Sequence, residues 1–504
     1  MELVGTFLGK RVFIYDPNID CTEMNFQEYA SQFNRTETLK EICSISRDLF
    51  HSSEQFLIID DVPVYPDILC DFAYKIIKYC DESSTQVITK SQIGHALKMC
   101  HKLLDVDFVG PNNKDAIAIL TKISFRQFVF QQKNFNNFAR NYYIYSDLWS
   151  RVPGAKNIDV LSEIEDEIGI PYDGAILFAY ALAGNEFGYF WIYDKKAIEE
   201  VNKITGLSLT VESHVKFVKW CSGAYEDILK HNSELPPFVQ YPLVETKLMP
   251  VANKGEVFMT ISQQLLHDKL TTGLYFHLID RFRKGNRGNK FKELFGYVFQ
   301  EYVGELLRFY FHSWDVIPEI KYKKRKRNLQ DSADWFVKKD NKLIIIEVKQ
   351  SSIFLKSKQN PSMDAIISDL RKTIIKAIDQ LSVTERDIKE KKYPELTTFE
   401  NIDSFVKLIV INDPLFNANF LVKTILKNEI EDLTFQIINI NDFETILSSQ
   451  SQAESLFDVL YYKSLEDNEM DFNEYIYKIF PDAQSDIEFL KPIWESFFKD
   501  VRIE

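Results

Sequence analysis

The segment DSADWFVKKDNKLIIIEVKQ, residues 331 to 350, sets Glu347 and Lys349 inside a run of aliphatic residues. A charge in such a run is unfavourable to bury unless it is paired or holds a cation. Along a β-strand successive side chains alternate faces, so Glu347 and Lys349 share one face while Ile346 and Val348 share the other. A tight turn at Asp340-Asn341 folds the preceding SADWFV back as a partner strand and brings Asp334 across from the pair. Asp331 falls on the opposite face of any strand running through both aspartates. Asp334, Glu347 and the carbonyl of Val348 then form a set of hard oxygen donors suited to Mg2+ or Mn2+. Lys349 beside them can position or deprotonate a water, or balance charge as a reaction proceeds.

The surrounding pattern supplies elements to hold these residues. FKELFGYVFQEYVGELLRFYF (291–311) has Leu294, Val298, Tyr302, Leu306 and Phe309 at helical spacing. WDVIPEIKY (314–322) reads as a strand, followed by SADWFV and KLIIIEVKQ as two more. SMDAIISDLRKTIIKAIDQL (362–381) is an amphipathic helix, and SFVKLIVIND (404–413) and LTFQIININD (433–442) are strands with a helical segment between them. The order is α-β-β-β-α-β-α-β, a mixed α/β class, within residues 288–450. Residues 1–235 read as a mostly α-helical domain for sensing or binding, with FLIIDDVPVYPD a short strand-like exception. NSELPPFVQYP (232–242), with three prolines, marks the expected boundary. A helical connector over 236–287 and a helical tail over 451–504 complete the expected organisation.

An Asp followed by E-x-K on adjacent strands resembles the PD-(D/E)XK, or restriction-endonuclease-like, nuclease superfamily over roughly residues 288–445. The resemblance implies an αβββαβ core, a catalytic set of Asp334, Glu347 and Lys349, and a metal held by Asp334, Glu347 and the Val348 carbonyl. It also implies a further carboxylate from the first helix, matched by Glu301 in FGYVFQEYV, and a polar or basic residue on the later helix, matched by Lys372, Lys376 and Gln380. The sequence departs from the family pattern in having no Pro before the Asp. The implied activity is Mg2+-dependent hydrolysis of a phosphodiester, with DNA the default substrate and RNA also open, in bacterial antiphage defence or restriction. A non-catalytic nucleic-acid-binding or scaffold protein that keeps the fold is the alternative. All three of Asp334, Glu347 and Lys349 are present, which favours the enzyme.

Charge distribution agrees with a local polyanion site. The 504-residue chain has a net charge of −14, yet residues 281–358 carry 19 Lys and Arg against 9 Asp and Glu. That window is +10 and leaves −24 for the rest, so one basic island lies in an acidic chain. Its densest part, KYKKRKR, makes Lys321, Lys323, Lys324, Arg325, Lys326 and Arg327 the expected phosphate contacts, joined by Lys372, Lys376 and Gln380. No segment approaches ~18 uninterrupted apolar residues, so no membrane span is expected. The six cysteines lack C-x-x-C spacing and suit a reducing, cytoplasmic setting. LIIDD (57–61) has no G-x-x-x-x-G-K-[ST] partner and reads as a strand-end turn; His95 and His101 are six apart and do not stack as a metal pair. A symmetric homodimer, or a partner defence subunit, would suit double-strand cleavage.

Overall fold

The computed structural model describes residues 2–7, 10–14, 18–52, 56–103, 136–183, 189–191, 195–232, 236–246, 257–285, 287–325, 328–350, 363–391, 393–412, 415, 418–426, 429–430, 432–449, 453–466, 468–480 and 487–498. The fold is mixed α/β. Two compact units divide it: Met1–Lys133 with Leu161–Leu278 and Phe497–Glu504, and Asn134–Val160 with Ile279–Ser496. The division therefore does not fall at residue 235. The proline-rich segment turns once at Pro237–Val239, and Phe238 is fully buried in the first unit's core. Strands Leu243–Thr246 and Val257–Thr260 follow, and helix Gln263–Leu270 buries Leu265, Leu266 and Leu270, so much of the expected connector is core.

In the first unit, apolar residues at three- and four-residue spacing form helices such as Arg35–His51, Pro66–Tyr79 and Val211–Cys221. The unit also carries a four-stranded sheet in the order Tyr189–Trp191, Val257–Thr260, Leu243–Thr246, Ser222–Gly223; the aromatic run FGYFWIYD (187–194) reads as a strand in the sequence, and the other three strands do not. LIIDD closes a hairpin, with Asp60 and Asp61 at φ 50° and 64°, the left-handed pair that a two-residue loop of this kind requires.

The second unit is built from α1 (Gly288–Tyr310), β1 (Asp315–Pro318), β2 (Lys321–Arg325), β3 (Asn328–Asp331), β4 (Trp335–Lys339), β5 (Lys342–Lys349), α2 (Met363–Leu370), α3 (Lys376–Lys389), β6 (Ser404–Ile411), α4 (Ala418–Leu426), β7 (Phe435–Asn439) and α5 (Ile440–Ser448). Five strands make one sheet in the order β7-β6-β5-β4-β1. β1 pairs with β4 and β4 with β5 antiparallel, whereas β5 pairs with β6 and β6 with β7 in parallel. β5 is paired on both edges and covered on both faces, hence its near-continuous apolar run. Lys339 pairs with Lys342, so Asp340-Asn341 forms the expected two-residue turn, with Asp340 at φ 51°.

Two strand expectations are corrected. Residues 314–322 do not form one strand: Pro318, which has no N–H to donate, ends β1, and the chain leaves the sheet to build the β2–β3 hairpin. SADWFV enters the sheet only at Trp335. In α1 the buried face drifts along the helix, so Tyr310 is buried while Phe309 is 43% exposed.

The sheet's two faces are covered by different helices. Even-numbered side chains of β5 face α1: Ile346 pairs with Trp335, and the Trp335 ring fills the space at Gly304, where an added Cβ would lie 2.1 Å from it. Only glycine admits the helix this close. Gln350, two residues further along the same face, lies against Gly296 of α1. Odd-numbered side chains face α3, because Lys407, the register partner of Ile345, reaches Glu385 at 2.7 Å. The expected separate tail belongs to this unit as far as Ser496. Lys463, in helix Ala453–Glu466, donates to Gln436 Oε1 of β7 at 2.5 Å.

Candidate active site

The register of the three antiparallel strands sets the site. Pro318, Trp335 and Ile346 form one row across β1, β4 and β5. One residue further toward the carboxyl end of β5 the row continues with Asp334 and Glu347, while Glu319 follows the end of β1 within reach of the Asp334 charge. Directly opposite residues share a face, so this row lies on the odd face, toward α3. Sites at the carboxyl ends of strands are where open α/β sheets expose ligand-binding groups.

Asp334 is held tightly. Its Oδ2 accepts the backbone N–H of Val348 at 2.7 Å, closing the ladder just past the end of β4. The Val348 carbonyl points to the same side of its strand as that N–H, toward Asp334. The two preceding residues are fully buried and locked: Ser332 N–H donates to Ile320 O at 3.0 Å, and Ile320 N–H donates to Ser332 Oγ at 2.8 Å. From α3, Thr384 Oγ1 accepts from Ala333 N–H at 3.1 Å and Gln380 Nε2 donates to Ser332 O at 2.6 Å.

Glu347 is 1% exposed. Lys349 Nζ donates to its Oε1 at 2.5 Å, and its Oε2 is buried with no hydrogen-bond partner. Burial pushes the Glu347 carboxyl above its ordinary range and the Asp334 charge adds to the rise, with Lys349 opposing both. Asp334 is raised by burial against the pull of Lys349 and the Val348 N–H. Glu319 is raised by burial and then by Asp331 and Asp334. Lys349, with 27% of its side chain exposed, is the cation of the group that opens to solvent.

The structure thus brings together Asp334, Glu347, Lys349 and the Val348 carbonyl, as the sequence led us to expect. Glu301 does not join them. It belongs to α1, which covers the opposite face, and its carboxylate is taken by Arg308 Nη1 at 2.8 Å. Asp331 lies in the hairpin and pairs with Lys321 at 3.2 Å. Within that hairpin Lys321 and Lys323 are exposed, while Tyr322 turns inward and donates to Asp387 Oδ2 of α3 at 2.7 Å. Lys324 and Arg325 continue β2, and their side chains lie outside what is described; Lys326 and Arg327 lie outside the described residues altogether. Lys372, in the π-helical turn Arg371–Ile375, and Lys376 are exposed. Gln380 is corrected from an expected nucleic-acid contact to a support of the Asp334 loop, since its amide donates to Ser332 O.

Glu319 is the site residue that sequence reasoning missed. Its signal is structural: β1 pairs with β4 up to Pro318, Ile320 then bonds Ser332, and the Asp334 charge acts on Glu319 between them. Among the described residues no three His, Cys, Asp or Glu side chains already converge to ligate a metal. Two carboxylates, one with an unsatisfied buried oxygen, and a strand-end carbonyl nevertheless fit Mg2+, which keeps several waters and takes one or two carboxylates. No described helix is long and apolar enough to cross a membrane, and the six cysteines are free thiols. No protein-family model, curated protein or solved structure matches the chain.

Proposed function

We propose that the second unit is a restriction-endonuclease-like core and that the protein is a Mg2+-dependent endonuclease hydrolysing phosphodiester bonds in DNA. The observation that carries this reading is Glu347: a carboxylate 1% exposed, beside a second carboxylate, with one oxygen unsatisfied. Lys349 engages one Glu347 oxygen and leaves the other without a partner, and a buried carboxylate so incompletely satisfied is unfavourable to fold around. A sheet with no chemistry to do gains nothing from retaining it, and a divalent cation removes the penalty. The bound metal would supply Lewis acidity toward a phosphate oxygen and a water acidified to near neutrality. Asp334 and Glu347 hold it, and the locked loop 332–334 fixes Asp334 before any ligand arrives. Lys349, tethered through Glu347 and partly exposed, is placed to orient the attacking water or to meet charge on the leaving oxygen. Lys323, Lys372 and Lys376 offer phosphate contacts, which give affinity and salt dependence without sequence information. Restriction-type bacterial defence is the role we propose on the resemblance, with a dimer serving to cut both strands.

The test is incubation of the full chain with supercoiled plasmid and Mg2+, with EDTA and Lys349→Ala as controls. Nicking or linearisation that EDTA abolishes is expected, with the variant slower by about 100- to 10,000-fold, the range for loss of a positioned proton-transfer group. Absence of cleavage of duplex, single strand or RNA with Mg2+ or Mn2+ would overturn the reading in favour of a binding protein that retains the fold.

A further inference from the structure

Resting on that reading, we infer that Glu319, and not Glu301, is the third carboxylate of the cation site, engaging the metal through a bound water. Three observations carry it. Ile320 exchanges hydrogen bonds with Ser332 just after β1 leaves the sheet, which brings Glu319 beside the 332–334 loop, and the charges of Glu319, Asp334 and Glu347 act on one another there. Glu347 Oε2, in a side chain 1% exposed, has no hydrogen-bond partner and is the unsatisfied group of the cluster. Glu301 lies on the helix of the other face and is neutralised by Arg308 at 2.8 Å. We assign the contact to a bound water because, among the described residues, no three carboxylates converge to hold a metal directly. It also suits Mg2+, which dehydrates reluctantly and commonly meets protein oxygens through its own waters.

Glu319 is better anchored for this than a surface acid. The next residue, Ile320, exchanges two hydrogen bonds with Ser332, at 2.8 and 3.0 Å, and Ser332 in turn leads into Asp334. The chain entering the hairpin and the chain leaving it are thereby fastened together one residue after Glu319 and two before Asp334. Any distortion at residue 319 is transmitted to residue 334 through that clamp. For this reason the test uses substitutions that keep the shape of the side chain.

Mn2+ binding to the full chain is measured by the electron paramagnetic resonance of free Mn2+, which reads affinity and stoichiometry without activity. Wild type is expected to bind, Glu347→Gln to lose most affinity, Glu319→Gln to weaken about 10- to 100-fold as outer-shell partners do, and Glu301→Gln to match wild type. Glu319→Asp, which keeps the charge on a shorter arm, should fall between Glu319→Gln and wild type, and covers the case in which the amide variant folds poorly. If Glu319→Gln binds like wild type while Glu347→Gln does not, the inference fails and the nuclease reading stands. If Glu301→Gln is the variant that weakens, the helix supplies the third carboxylate and the inference again fails. If wild type takes up no Mn2+ at all, the metal reading itself is lost and this inference with it.

Discussion

Glu347 works against the fold that holds it. Burial and the neighbouring Asp334 raise its carboxyl above the value it has in an unfolded chain. A group with a raised folded-state pKa contributes fully at pH below the unfolded value, and that contribution is lost as pH rises through the folded one. At neutral pH the folded chain therefore keeps on Glu347 a proton that the unfolded chain releases, which weighs on stability until a cation takes the proton's place. Glu347→Gln is expected to melt above wild type by a few degrees at pH 7 to 8, since each kcal/mol moves Tm by about 2–4 °C in a protein unit of this size. The gap should close as pH falls toward 4. Mg2+ should raise the Tm of wild type and leave the variant's unmoved, because only a state that binds ligand gains from it. Melting curves across this pH range, with and without Mg2+, decide the matter; a variant that melts lower at every pH would show that the carboxylate is structurally satisfied. Asp334, Glu347 and Lys349 could be read from sequence because alternation along one strand and one two-residue turn fix their relation. Glu319 could not: its place depends on a register between β1 and β4, two strands separated in the chain by an inserted hairpin. Glu301 shows the converse, for helical spacing tells which side of α1 is buried but not which face of the sheet α1 covers.

At the scale of elements, the β2–β3 hairpin and α3 divide the work of binding and positioning. The basic run looks like a loop by composition, yet Lys321, Tyr322 and Lys323 alternate out, in, out, and Tyr322 is pinned to Asp387 and packs at a tilt against Tyr393 with ring centres 4.9 Å apart. The lysines are therefore carried on a braced arm. On α3, Lys376 is exposed while Gln380, one turn on, fastens the Asp334 loop. Lys323→Glu combined with Lys376→Glu should raise KM, leave kcat nearly unchanged and lower the slope of log affinity against log salt by about one for each phosphate contact removed. Gln380→Ala should do the reverse, lowering kcat by about 10- to 100-fold with the salt slope intact, as loss of a supporting hydrogen bond does. Cleavage rates over a salt series separate the two. A flat response to the charge reversals would mark the arm as a solvated face with no part in binding.

At the scale of the whole chain, local pattern says where helices are but not what they pack against. Residues 134–160 read as one more helical stretch of the first half, yet they belong to the second unit. Arg140 is the reason: its Nη1 donates to Glu444 Oε2 at 2.7 Å, 304 positions along the chain, and the two side chains are 3% and 0% exposed. Tyr302 of α1 donates to the other oxygen of Glu444 at 2.5 Å, and Trp149 stacks on Phe291 with centroids 5.5 Å apart. Removing one partner of a buried, hydrogen-bonded ion pair destabilises by about 3–5 kcal/mol, because the other charge stays in place. That is a large part of the 5–15 kcal/mol by which a typical domain is stable. A fragment of Ile279–Ser496 alone, which keeps every residue of the candidate site, is therefore expected to lack a cooperative melting transition, while Asn134–Val160 added as a peptide restores one. In the full chain, Arg140→Met should lower the transition of the second unit and leave that of the first in place, as calorimetry of the two transitions will show. If the fragment melts as sharply and as high as the intact chain, the buried pair is dispensable and the chain's return through residues 134–160 has no energetic role in holding the sheet that carries Asp334 and Glu347.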